Sequence, residues 1–422
     1  MKVAIVHDYL KEFGGAERVL EALCEIFPKA PIYTAFYQKG SSAYKRFKDK
    51  RSFSANKKII TSWAQNVPFF ASYLHSPLRF LAPLIWNSFD FSDYDVVISS
   101  SSWYVTKGFR KGHQVIRSSK PNHPIEICYC HTPPRYLYGY PTSVDWQKYW
   151  PVKAYALLVN HFMRVYDFEA SQRVNYFIAN SKEVQARIKK FYRRESKVIY
   201  PPASLRGALR AGPPVDLSAF SEIKRIALRR TKSLNANSYF LVVSRLVGSK
   251  KVDIAVEVCA KLGLPLKVVG TGRELENLKN LARRLSSTGS DPVSNVEFLG
   301  EVPDSMLIDL YRNCRAVIFP AEQEDFGLVP VEAMAFGKPV IVNAQGGALE
   351  TVLDAIFSGK GKCTGVYFDP PTLGSLTLAI NSFIDLEKKG YFDPKFIQKH
   401  AQKFSKERFK KEILNFVNSK VG

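Results

Sequence analysis

The chain has 422 residues, too many for one ordinary domain and enough for two. With 46% hydrophobic and 13% aromatic residues it has ample material for buried cores, which excludes a disordered or low-complexity protein. Its 61 Lys+Arg against 38 Asp+Glu leave a net charge of +23, so an anionic counterpart is expected: nucleic acid, an anionic membrane surface or a phosphorylated substrate, the alternative being only the solvated surface of a basic protein.

In chain order, "MKVAIVHDYL" has an apolar run too short for a signal peptide or a membrane span and reads as a first β-strand. "DYDVVISSSS", "IEICYCHT", "YFIANS" and "KVIYPP" continue the strands of the first half, alternating with helical patterns. The second half repeats this grammar with "YFLVVSRL", "PLKVVGTG", "NVEFLGEV", "AVIFPAE" and "PVIVNA". Strand–helix alternation twice over implies an α/β protein of two doubly wound domains with parallel sheets, facing each other across a cleft and binding ligands at the carboxyl ends of their strands. Between the halves "PPASLRGALRAGPPVD" reads as a linker. After "PVIVNA" the patterns are helical up to Phe404, and "KERFKKEILNFV" closes the chain as an amphipathic segment with Phe409, Ile413 and Phe416 at helical spacing.

No stretch of about 18 uninterrupted apolar residues occurs, so no transmembrane helix is expected. The six cysteines are scattered and no export signal is read, which points to reduced thiols in a cytoplasmic protein. Cys128 and Cys130 stand at alternate positions of an apolar run, and no second Cys/His pair has zinc spacing, so a strand is expected there rather than a metal site. Part of the basic excess is local: 14 basic against 4 acidic residues from Ser181 to Lys232, and 8 against 2 from Lys395 to Gly422. These residues form no recognition motif for nucleic acid, and no nucleic-acid partner is expected.

Four constellations carry chemistry. In "VHDYLKEFGGAERV", Gly14 and Gly15 stand where a strand passes into a helix, a place where backbone N–H groups and the helix dipole favour a phosphate. A third glycine of the dinucleotide fingerprint is lacking, and a tight turn explains the pair equally well. In "VVSRLVGSKKVDIAVEV", Arg245 and Lys250 flank a strand-to-helix loop and would clamp a diphosphate, or are a solvated pair. "LKVVGTGRELENL" puts Gly270 and Gly272 after a strand, a second place for close backbone approach. In "AVIFPAEQEDFGLVPVEAMAFGKPV", Glu324 falls in the loop at the end of a strand and Glu332 in the opening turns of the next helix, with Pro330 in its first turn and Gly337 closing it. A glutamate in such a place accepts two hydrogen bonds from a vicinal diol such as a ribose offers, or is simply a charged helix start.

Taken in order, "GGAERV", "CYCHTPPRYLY", "SRLVGSKKVD", "VVGTGRELENL", "VEFLGEVPDSML" and "EDFGLVPVEAMAFGKPVIVNAQGGALETV" resemble the retaining nucleotide-sugar glycosyltransferases of family 4, which have the GT-B fold. The resemblance runs from about Met1 to Thr351. It implies an N-terminal acceptor-binding domain over 1–205, a nucleotide-sugar-binding domain over 206–395, and a last helix within 396–422 packing back on the N-terminal domain. It implies that Glu324 contacts the donor sugar, that Glu332 binds the ribose, and that Arg245 and Lys250 hold the diphosphate without a metal or other cofactor. His131 would lie near the donor sugar. Gly14 and Gly15 would close on the phosphates, and Phe326, Gly327 and Leu328 would present backbone N–H groups. Leu299 with Gly300 would flank the base. One departure is "VGSK", where the family usually has Pro-Tyr ahead of the lysine.

This form of the motif most resembles the mannosyltransferase branch, so GDP-mannose is the first donor expected and a UDP-sugar the second. The expected acceptor is a glycan or a polyprenyl-diphosphate-linked glycan. The stretch 56–91 is dense in aromatics, and Trp63, Phe69, Phe70, Tyr73, Phe80 and Trp86 with Lys57, Lys58 and Arg79 would either form an anionic-membrane surface or pack on the core. A cytoplasmic protein, peripheral on the inner face of the cell membrane, follows as the expected location. The rival readings are a nucleotide-sugar epimerase, an inactive relative, and a non-enzymatic binder of nucleic acid or anionic surfaces.

Overall fold

A computed structural model describes residues 1–48, 57–109, 124–142, 149–203, 239–286 and 295–421. The chain forms two compact units, one of Met1–Pro202 with Lys406–Gly422, the other of Ala203–Ser405. Beyond residue 203 the Pro/Gly/Ala-rich linker lies outside the described residues, as does its basic continuation to residue 232.

The first unit is built on β1 (Val3–His7), β2 (Ile32–Thr34), β3 (Ile59–Thr61), β4 (Val96–Ser101), β5 (Ile125–Cys130), β6 (Tyr176–Ala179) and β7 (Ser196–Val198). They form one sheet in the order β3-β2-β1-β4-β5-β6-β7, with every described pairing parallel. β1 is buried along its whole length, as an apolar strand covered on both faces must be. On one face the core joins Ile5, Val19, Leu23, Ile98 and Tyr129 to Phe409, Ile413 and Val417 of the Lys406–Val421 helix. Burial of three such side chains contributes about 2 kcal/mol each. Lys410 pairs with the buried Glu25 at 2.7 Å, and Lys406 pairs with the same carboxylate.

The second unit carries β8 (Phe240–Val243), β9 (Leu266–Val269), β10 (Val296–Gly300), β11 (Ala316–Phe319), β12 (Val340–Asn343) and β13 (Gly365–Phe368), in the order β10-β9-β8-β11-β12-β13, again parallel in every described pairing. Residues 396–405 belong to this unit, because the Pro394–Ala401 helix buries Ile397 and Ala401 and Pro394 lies against Gly337.

Three strands go beyond the five per half read from sequence. β2 and β3 are three residues each, too short to show an alternation, and β13 interrupts what had read as helix after "PVIVNA". Cys128 and Cys130 occupy alternate positions of β5, and all six cysteines are buried and reduced.

Candidate active site

In the second unit the strand order reverses between β8 and β11, the point where an open parallel sheet leaves a crevice outside its carboxyl ends. The loop after β8 carries the exposed Arg245 and a single 3-10 turn, Gly248–Lys250; the loop after β11 carries Glu322 and Glu324. Lys250 Nζ donates to Glu324 Oε2, Lys251 lies 3.5 Å from Glu322, and the Glu322 N–H donates to the Ser249 carbonyl at 3.1 Å. Two ion pairs and a backbone bond therefore clasp the loops together. The departure noted at "VGSK" supplies that carbonyl. The side chains of Lys250 and Glu324 remain 16% and 22% exposed, sheltered but reachable.

Gly327 caps the Leu328–Ala335 helix, whose first-turn N–H groups have no partner inside the helix. Glu332 sits in its second turn, 5% exposed, and accepts from the Tyr311 hydroxyl at 3.1 Å. Tyr311 stacks on Phe336. Phe326 is buried against Phe404, so it anchors the loop rather than offering an open surface. Behind the loop lie Gly346 and Gly347: a Cβ on Gly346 would stand 2.2 Å from the Glu324 carbonyl, and one on Gly347 2.3 Å from Phe326 Cα. The Gly347 N–H donates to the Glu324 carbonyl at 2.8 Å. The glycine pair thus sets where Glu324 stands.

Gly270 and Gly272 have a different reason from the one sequence suggested. A Cβ on Gly270 would lie 1.8 Å from the Ser244 carbonyl oxygen and one on Gly272 2.1 Å from that of Leu246, so the close approach is to the protein's own β8 loop. Leu299 is buried in β10, and Gly300 after it is open on its Cβ side.

In the first unit the matching reversal lies between β1 and β4. Gly14 caps the Gly15–Ile26 helix, and its N–H donates to Glu17 Oε2 at 2.8 Å, so this amide is already engaged by a carboxylate. The other oxygen, Glu17 Oε1, is 3.3 Å from His7 Nε2; His7 Nδ1 is 3.0 Å from Ser100 Oγ; Ser100 Oγ is 2.8 Å from His131 Nε2. The glycine turn and His131 are thereby joined through three residues that sequence reasoning passed over. Two of them stand at strand ends, in "IVHDY" and "ISSSS", and the third is the helix's capping-box glutamate.

His131 is 9% exposed, packs edge-on against Tyr129 and receives Asn180 on its carbonyl. Arg187 holds the next residue, Thr132, and Arg135 reaches the Pro141 carbonyl. Asp8 organises the loop after β4, its carboxylate accepting from the N–H groups of Ser102, Trp103 and Tyr104. Glu126 on β5 is fully buried; burial pushes its carboxyl up to about 7, against the N–H donors of Gly108 and Phe109 and the charges of Lys107 and Arg173.

The structure therefore groups Arg245, Lys250, Glu324, Glu332 and the 326–328 turn on one unit, and Gly14, Gly15 and His131 on the other. Among the described residues no cluster of three His, Cys, Asp or Glu side chains stands together as a metal site.

The aromatic stretch at 57–91 divides. Phe70 and Trp86 are core, and the buried Lys57 donates to the carbonyls of Phe27, Pro28 and Ala30, so these three leave the expected surface. Arg79 donates to Asn160 and lies over the rings of Tyr136 and Tyr155. Trp63, Phe69, Tyr73 and Phe80 are exposed. A larger apolar face lies on the Trp150–Arg173 helix, where Trp150 is 80% exposed and Leu157, Leu158, Phe162 and Val165 follow at helical spacing, beside the exposed Lys153 and Arg164. No described helix is long and apolar enough to cross a membrane.

Residues 225–406 match the family profile of glycosyl transferases group 1. Two curated relatives are each 30% identical: an uncharacterized glycosyltransferase of Methanocaldococcus jannaschii over 117 residues, and the D-inositol 3-phosphate glycosyltransferase of Mycolicibacterium smegmatis over 197. Those stretches span 28% and 46% of this chain and only 32% and 43% of the relatives. Among solved structures, Anabaena Alr3699/HepE in complex with UDP superposes with a TM-score of 0.66 at 19% identity, covering 99% of this chain and all of that one. Sucrose-phosphate synthase from Thermosynechococcus elongatus does so with 0.68 at 17% identity, covering 99% of both. Residues 225–406 thus carry a glycosyl transferases group 1 domain, and the chain as a whole has the α/β fold of the GT-B class, two Rossmann-like units with parallel sheets.

Proposed function

We propose that the chain is a retaining, metal-independent glycosyltransferase of family 4 that moves a hexosyl group from a nucleotide-sugar to a glycan or a polyprenyl-diphosphate-linked acceptor. The observation that carries this reading is the Lys250–Glu324 pair between the carboxyl ends of β8 and β11, with Arg245 on the same loop as Lys250 and Glu332 in the helix that follows Glu324. As the bond from the anomeric carbon to the diphosphate breaks, negative charge gathers on the departing nucleotide. Arg245 and Lys250 stabilise that charge, while the acceptor hydroxyl oxygen forms the new bond to the anomeric carbon and its proton passes to an oxygen of the departing diphosphate. Glu324 exchanges its contact with Lys250 for sugar hydroxyls, and Glu332 accepts from the ribose diol.

GDP-mannose is the first donor and a UDP-sugar the second; the second is favoured by a solved neighbour, Alr3699/HepE, that holds UDP and UDP-glucose. The protein works in the cytoplasm, peripheral on the inner face of the membrane. The net charge of +23 and the exposed face of the Trp150–Arg173 helix support that placement.

A panel of GDP- and UDP-sugars assayed for nucleotide release, first alone and then with lipid-linked acceptors, tests the reading. Acceptor-dependent release supports it. Interconversion of the sugar with no acceptor present would make the protein an epimerase, and no binding of any nucleotide-sugar would remove the enzyme from the account.

A further inference from the structure

The line Gly14–Glu17–His7–Ser100–His131 has a direction that can be worked out from one end to the other. The Gly14 amide can only donate, and it donates to Glu17 Oε2 at 2.8 Å. An ionised carboxylate only accepts, so at the other oxygen the 3.3 Å contact requires His7 Nε2 to carry a proton. At a pH where imidazoles are neutral His7 has one N–H, which makes its Nδ1 an acceptor, and the Ser100 hydroxyl 3.0 Å away must donate to it. Ser100 has a single hydrogen, so toward His131 Nε2 at 2.8 Å its oxygen accepts. His131 therefore holds its proton on Nε2, and Nδ1 is left as a hydrogen-bond acceptor.

The line is sheltered enough for these directions to persist. His7 is 2% exposed, Ser100 is fully buried, and the Glu17 side chain is 14% exposed. His7 and Ser100 are also register partners on β1 and β4, so sheet pairing fixes their approach.

We propose that Glu17 is a positioning residue that, through His7 and Ser100, selects the tautomer of His131. The inference rests on the glycosyltransferase reading only for what the tautomer serves: an acceptor nitrogen matches a sugar hydroxyl, which donates. A glutamine at position 17 should reverse the whole line. Its amide oxygen is claimed by the Gly14 N–H, so its NH2 faces His7 Nε2 and makes that atom an acceptor. His7 then carries its proton on Nδ1 and donates to Ser100, Ser100 donates to His131 Nε2, and His131 moves its proton to Nδ1.

Two-bond proton–nitrogen spectra of the full chain labelled with 15N-histidine, recorded without substrate at pH 8.5, where imidazoles are neutral, read this directly. The His131 signals are assigned by their loss in His131→Asn. Wild type should show His131 protonated on Nε2 and Glu17→Gln should show it on Nδ1, while in a Ser100→Ala background Glu17→Gln should change His7 alone. A wild-type His131 protonated on Nδ1, a His131 unmoved by Glu17→Gln, or a His131 that still responds when Ser100 is alanine would each overturn the inference. Failure of every nucleotide-sugar in the release assay, with the tautomers reversing as stated, would leave the relay standing and remove the enzymatic reading instead.

Discussion

Lys250 and Glu324, 74 residues apart in sequence, are joined by an ion pair at the reversal point of the second sheet, where the β8 and β11 loops meet. On the proposed reading, this cation and carboxylate, which neutralise each other before substrate arrives, part when a diphosphate and a sugar compete for them. Glu324→Ala leaves Lys250 without this partner in a half-sheltered site. Transfer should fall by about 100-fold or more while nucleoside-diphosphate affinity is unchanged or rises. Nucleotide-release kinetics together with calorimetric titration of GDP and UDP check this; normal turnover would remove Glu324 from the chemistry.

Glu332 is held by Tyr311 near the helix start, and on the proposed reading it binds the ribose. Glu332→Ala should weaken nucleoside-diphosphate binding by about tenfold, roughly 1.4 kcal/mol, with less effect on the rate at saturating donor. Tyr311→Phe should weaken it in the same direction by less. Equal loss for a free sugar and for the nucleotide would contradict the assignment.

Gly346→Ala drives a Cβ to 2.2 Å from the Glu324 carbonyl oxygen at a φ of +61°. The loop bearing Glu324 must move, so transfer should fall far more than thermal stability does. Activity compared with the unfolding temperature distinguishes this from Gly270→Ala, in which the clash is with Ser244 within the β8 loop and the unfolding temperature should drop as well.

The Glu126 carboxyl titrates near 7 in the folded chain against 4.5 as its ordinary value. A raised acid contributes stability that is fully present below about pH 4.5 and lost as the pH rises through about 7. The unfolding temperature of the first unit should therefore carry a downward component between pH 5 and 7.5. Glu126→Gln should remove that component: below about pH 4.5 it should cost about 1–3 kcal/mol, since its NH2 must face one of the two N–H groups the carboxylate now accepts from, and this cost should shrink or reverse as the pH rises through about 7. An unchanged pH slope in the variant would contradict the assignment.

Trp150, Leu157 and Phe162 share the exposed face of the Trp150–Arg173 helix. Replacing all three by serine should leave soluble-donor hydrolysis intact and sharply reduce flotation with anionic liposomes at physiological salt. If wild type does not float either, the membrane leaves the account.

The strand, loop and helix around Glu324 and Glu332 were legible because an apolar run, a proline and a closing glycine mark them locally. The repetition of strand and helix likewise showed two doubly wound units. Strands of three residues, Ile32–Thr34 and Ile59–Thr61, were not legible, since their identity comes from pairing with neighbours and not from their own pattern. The same limit hid the relay: nothing in the chain shows that His7 and Ser100, 93 residues apart, are register partners. Exposure was left open between surface and core at Lys57, Phe70 and Trp86, which are buried, because an aromatic-rich stretch reads alike whether its rings face water or each other.

The Lys406–Val421 helix closes the core of the first unit, although its residues follow the whole second unit in sequence. On the ribosome, Met1–Pro202 emerges without the side chains of Phe409, Ile413 and Val417, while Ala203–Ser405 arrives as one unbroken stretch. The usual order of synthesis, first part finished first, is inverted here: the nascent second unit can be complete while the first still awaits its final cover.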